Sequence, residues 1–147
     1  MGRKIFMFKN LIAGTVAAMA LCLAVTSAQA ETINFKAQLN GASEVPANDS
    51  KGTGDASLKY DSTSKKLDYT LNYSGLSGDA TAAHFHGPAA AGANAGVELP
   101  ITIGKSPING SAVLNDTQAA DLLAGKWYVN VHTAAHPGGE IRGQVSK

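Results

Sequence analysis

From residue 31 onward the chain places apolar side chains at every second position in short runs, and clusters of Gly, Asn, Asp and Ser interrupt those runs. Ile33, Phe35, Ala37 and Leu39 alternate with polar neighbours, as do Ala56, Leu58 and Tyr60, and then Leu67, Tyr69, Leu71 and Tyr73. A period of two fits a strand with one face buried. Many short strands with frequent turn signals predict an all-β fold, a Greek-key β-sandwich or barrel.

The segments between the runs order the rest of the chain. Gly41 to Gly54, with Pro46, reads as a loop crossing an edge of the sheet, and Asp61 to Lys66 as the longer turn of a hairpin. Further strands are expected over Ala80 to His86, Val97 to Ile103, Ile108 to Leu114, Trp127 to Thr133 and Glu140 to Val145. The small-residue loop Gly87 to Gly96 should lie over whatever neighbours His86. One short connecting helix is predicted: Asn115 or Asp116 caps it, Gln118 completes a capping box, Leu122 and Leu123 supply an apolar patch and Gly125 ends it.

Residues 1–30 follow another logic. Arg3, Lys4 and Lys9 form a basic stretch, Leu11 to Val25 an apolar one, and Ala28-Gln29-Ala30 a small-residue cleavage site, which together read as a signal peptide. The apolar run is shorter than the ~20 residues of a spanning helix. Cys22 follows Leu21 where a lipidation motif prefers Gly or Ala, which argues against a lipid anchor. The expected products are a signal peptide, 1–30, and one domain, 31–147, periplasmic or secreted and not an integral membrane protein after cleavage. The whole chain has 12 Lys+Arg against 11 Asp+Glu; removing three basic and no acidic residues leaves 9 against 11, a net charge of −2. An acidic balance without a basic stripe argues against nucleic-acid binding. The domain also loses the only Cys, so a metal site in it must use N and O donors.

All four histidines fall in the second half, at His84, His86, His132 and His136. His84 and His86 project from one strand face, with Ala83 and Phe85 on the other. Trp127, Val129 and Val131 mark the core face of a later strand, which leaves Tyr128, Asn130 and His132 on the opposite face. If the two strands are neighbours, three imidazoles converge outside the core, and His136 in the following turn can add a fourth nitrogen or cover the site. Such a set suits copper, with zinc behind it. Glu98 and Glu140 are candidates to orient the imidazoles. Glu140 and Arg142 otherwise read as a solvated strand pair. Trp127 and the tyrosines Tyr60, Tyr69 and Tyr73 read as core or cross-strand residues. The chain contains no G-x-S-x-G, and no pair among its scattered acids can be nominated for glycoside cleavage.

The stretches Leu39-Asn40-Gly41-Ala42-Ser43-Glu44-Val45-Pro46, Ala83-His84-Phe85-His86-Gly87-Pro88 and Tyr128 to Gln144 resemble the CHRD domain family over nearly all of residues 31–147. That resemblance implies a β-sandwich or barrel outside the cytoplasm, and assigns no activity. A fainter similarity is to copper-zinc superoxide dismutase, which also pairs an H-x-H strand with later histidines on a Greek-key barrel. This chain lacks the disulfide cysteines and the His-rich zinc loop of that family, so the similarity implies at most a copper site, with Arg142 as the candidate for guiding an anion. The function expected is an exported protein that binds a transition metal, copper favoured, through His84, His86 and His132 with His136 assisting, and that is no enzyme. The alternatives are a dismutase-like copper redox enzyme and a metal-free extracellular interaction or adhesion module.

Overall fold

The structure is a computed structural model that describes residues 1–2 and 31–147. Residues 3–30 of the expected signal peptide, 1–30, and Cys22 among them, lie outside the described residues. Eight strands form one antiparallel sheet: β1 (Thr32–Asn40), β2 (Thr53–Asp61), β3 (Lys66–Ser74), β4 (Ala80–His86), β5 (Val97–Ile101), β6 (Ile108–Val113), β7 (Tyr128–Thr133) and β8 (Ile141–Gln144). Their order is β5-β4-β7-β8-β1-β2-β3-β6. β7 returns beside β4, and β6 beside β3, which is Greek-key connectivity. The sheet curls into a nearly closed barrel, with β5 and β6 as its two edges.

One interior explains the alternation. Phe35, Leu58, Leu67, Leu71, Phe85, Val129, Val131 and Ile141, drawn from six strands, are buried in a single cluster. Tyr69 meets Phe85 edge to face, with ring centroids 5.2 Å apart, and Trp127 packs on the other side of Phe85 at 5.9 Å. Tyr60 is core as well. The helix α1 (Asp116–Leu123) carries the chain from β6 to β7 and buries Leu122 and Ala119. Asn115 is its cap: the Gln118 backbone N–H donates to Asn115 Oδ1, and the Gln118 side chain accepts from the Asn115 N–H. Gly125 at φ +69° reverses the chain just past the helix, a conformation that costs a residue with a Cβ.

The segment after β1 differs from expectation. β1 and β2 pair along their whole length, so residues 41–52 make an excursion rather than a crossing of the sheet edge. It opens with a 3-10 turn over Gly41–Ser43, then returns over the start of β8: Asn48 Nδ2 donates to the Glu140 backbone oxygen at 3.0 Å, and Ser50 Oγ to Glu140 Oε1 at 2.7 Å. Glu140 is fully buried and also accepts from the Ser77 N–H at 2.7 Å, Ser77 Oγ at 2.6 Å and Thr133 Oγ1 at 2.5 Å. One carboxylate thus ties together the excursion, the β3–β4 connection and the β7–β8 turn. Among the described residues no helix is long and apolar enough to cross a membrane.

Candidate metal centre

β4 and β7 are hydrogen-bonded neighbours, in a register that sets His84 opposite Asn130, His86 opposite Tyr128 and Ala82 opposite His132. With Ala83, Phe85, Val129 and Val131 turned inward, the same-face residues of the two strands form a polar patch on the barrel wall. His84, His86 and His132 each offer a ring nitrogen there, all within 4.8 Å of one another. His84 Nδ1 lies 3.1 Å from His132 Nε2, and the two rings meet edge to face with centroids 5.0 Å apart.

The hydrogen bonds at the far side of two rings decide which nitrogens face inward. His86 Nδ1 is 3.1 Å from the Ala95 backbone oxygen, and His132 Nδ1 is 3.0 Å from that of Pro137. Carbonyl oxygens only accept, so both Nδ1 atoms carry the proton and both Nε2 atoms present a lone pair. Anchoring of the remote N–H on a backbone carbonyl is how metal-ligating histidines are oriented. The two Nε2 atoms converge on Asn130 Oδ1, at 3.1 Å from His86 and 3.0 Å from His132.

Acceptors outnumber donors at this point. The His84 ring can donate from Nδ1 to His132 Nε2, but neutral rings leave His86 Nε2 facing Asn130 Oδ1 with no proton between them. A bound cation turns that mismatch into coordination. Burial, and then the neighbouring His132 and His86 rings, hold the His84 pKa below its ordinary 6.5. Burial does the same to His132, opposed by its bond to Pro137. Both rings therefore favour the neutral form that binds metal. The spacings also fit: donors about 2.0 Å from one ion stand about 2.8 Å apart at right angles and about 3.3 Å apart in a tetrahedron.

The family model of the CHRD domain matches residues 35–145, a span that includes β4, β7 and the two loops carrying Ala95 and Pro137. The chain belongs to the CHRD domain family. No curated protein and no solved structure shows a significant match to it.

The CHRD segments singled out in the sequence meet around the patch. The Gly87–Gly96 loop is clamped over His86, as expected of a cover. Its Asn94 Nδ2 donates to the Val45 oxygen at 3.0 Å, while Arg142 donates to Asn94 Oδ1 at 2.9 Å and to the Ala93 oxygen at 2.6 Å. Arg142 lies over the Tyr128 ring, 3.4 Å from its centroid, and the opposite partner of Tyr128 is His86, stacked parallel at 4.7 Å. A cation on an aromatic face and a stacked ring together fix His86 from the side.

Several expectations need correction here. Arg142 is only 2 % exposed and Glu140 0 %, so they are no solvated pair, and Arg142 is too enclosed to guide an anion. Glu140 is committed to Ser50, Ser77 and Thr133, and Glu98 sits on β5; the oxygens that hold the imidazoles are those of Ala95, Pro137 and Asn130. His136 stands outside the three-histidine group. Its backbone closes the Thr133–Gly139 turn, donating to the Thr133 oxygen at 3.2 Å and accepting from the Gly139 N–H at 3.1 Å, and its ring lines a cleft with Glu44. Sequence reading passed over Asn130 and Glu44. The signal for Asn130 was its place two residues before His132, on the same strand face; for Glu44 it was membership of the Leu39–Pro46 stretch.

Proposed function

We propose that this CHRD domain is an exported protein, periplasmic or secreted, that binds a transition metal, copper before zinc, through His84, His86 and His132. The observation that supports this reading most is the pair of backbone carbonyls of Ala95 and Pro137, which hold two Nδ1–H groups outward so that two Nε2 lone pairs meet beside the third ring. Two of the three rings are thereby held with the ligating nitrogen free of a proton, as metal-ligating histidines are oriented. Imidazole donors without thiolates suit Cu(II) and Zn(II). Export is supported by the pattern of residues 1–30. The protein handles or holds the ion rather than turning over a substrate, and His136 contributes from the neighbouring turn without ligating.

Titration of residues 31–147 with Cu(II), followed by electron paramagnetic resonance, tests the proposal. One equivalent per chain should bind with nitrogen hyperfine structure, and the His84→Ala/His86→Ala variant should lose it. Equal, weak and non-stoichiometric binding by both would reject it. Dismutase activity well above that of free copper would favour the redox enzyme instead, and a melting temperature unmoved by metal or chelator the metal-free module.

A further inference from the structure

Asn130 sits at the one point that touches two of the three rings, and its own orientation is set from behind. Its Oδ1 faces His86 and His132, so its Nδ2 faces the other way, toward Glu44. Gly139 marks how tightly they pack: a Cβ there would collide with the Glu44 carboxylate and lie 2.9 Å from Asn130 Nδ2. Glu44 is 6 % exposed, and its Oε1 has no hydrogen-bond partner of its own. A buried carboxylate cannot accept from an amide oxygen, so it selects the rotamer in which the NH₂ group points at it. The amide oxygen is thereby held among the imidazole lone pairs.

The geometry points to Asn130 Oδ1 as the fourth donor of the centre, making it an N₃O site for a divalent cation, Cu(II) foremost, with Glu44 as the positioning residue that keeps the oxygen turned inward. This deepens, and rests on, the metal-binding reading above. Contacts of 3.0 to 3.1 Å from Oδ1 to two Nε2 atoms, and 3.1 Å between His84 Nδ1 and His132 Nε2, fall between the right-angle and the tetrahedral spacing of donors that share one ion. The donor set carries a consequence for oxidation state. N and O donors suit Cu(II), whereas Cu(I) is selected by thiolate and thioether sulfur. The centre should therefore hold copper in its oxidised form.

The test compares residues 31–147 as wild type, Asn130→Ala, Glu44→Gln/Asn130→Asp and His84→Ala/His86→Ala, using Cu(II) competition against a chelator and paramagnetic resonance in ¹⁷O-enriched water. Asn130→Ala should bind Cu(II) roughly 10- to 100-fold more weakly, the range for loss of a supporting group at a metal site. It should also gain ¹⁷O broadening, because water takes the place of the amide. The double variant restores the polar order, with an amide now at position 44 donating to a carboxylate at position 130. It should recover wild-type affinity or better without the extra broadening, a rescue that a purely structural role for Asn130 does not predict. If Asn130→Ala fails to fold, the double variant decides alone: Cu(II) bound with an unchanged spectrum would overturn the proposal, since an anionic oxygen ligand must shift it. Affinity within twofold of wild type and unchanged broadening in Asn130→Ala would overturn it equally. Failure of the metal-binding reading itself looks different: wild type and the double histidine variant then bind alike, weakly and without stoichiometry.

Discussion

Glu140→Gln is the most informative single change to the fold. The Glu140 carboxylate is fully buried, and burial alone would push its pKa up. The hydrogen bonds from the Ser77 side chain, Thr133, Ser50 and the Ser77 backbone outweigh that burial and bring it from 4.5 to about 2. At about 1.4 kcal/mol per tenfold change in proton affinity, this gap means the ionised form stabilises the fold by about 3 kcal/mol. That is a large share of the roughly 5–15 kcal/mol by which domains are stable. A folded-state pKa below the unfolded one gives stability that is complete above pH about 5 and disappears as pH falls from 4.5 toward 2. Glutamine keeps the shape, and the hydroxyls of Ser77 and Thr133 can turn to face its amide, but the charge is gone. Urea denaturation of wild type and Glu140→Gln at several pH values should therefore show a difference of about 3 kcal/mol at pH 7 that shrinks to near zero at pH 2. A difference that stayed constant across that range would show that the charge contributes nothing, and the reasoning would fail.

Three further outcomes follow from the same structure. Gly139 has φ +131° and faces Glu44 and Asn130, so Gly139→Ala should cost about 2 kcal/mol or more in denaturant unfolding and weaken metal binding with it; a neutral effect would contradict the packing described. Phe85 is fully buried between Tyr69 and Trp127, and Phe85→Ala should lower stability by about 3–5 kcal/mol, measured by the urea midpoint at unchanged slope. Because burial holds His84 and His132 below their ordinary 6.5, these two rings should take up protons at lower pH than a free imidazole; ring-proton resonances of the metal-free protein followed by NMR from about pH 8 to about pH 4 should place both midpoints below 6.5, and midpoints at or above that value would refute this.

Alternation made the barrel legible because each strand has a buried face and an unburied one, and a period of two reports which is which. Phe85 against His84 and His86, or Val131 against His132, could be sorted on that basis alone. The pairing of the two histidine strands did not follow from it and stood as a condition, because alternation reports faces and not neighbours. The same rule could not say what covers the outer face. Glu140 and Arg142 alternate as a solvent-facing pair should, yet β8 lies mid-sheet under the residue 41–52 excursion and the Gly87–Gly96 loop, so both are enclosed. His136 was legible as a neighbour of the site but not in its direction, because a turn has no periodicity to aim a side chain. Asn130 was on the right face in plain view; its importance depends on Glu44, 86 positions earlier, which local pattern cannot connect.

The Ala95 carbonyl that holds the His86 ring belongs to a loop, not to the sheet. Which nitrogen His86 presents therefore depends on residues 93–95 staying seated on Val45 and Arg142: displacing them would leave the strand intact and free the ring to exchange its two tautomers. The loop thus chooses one donor atom out of two at the centre, and unseating it would erase that choice without removing a single ligand.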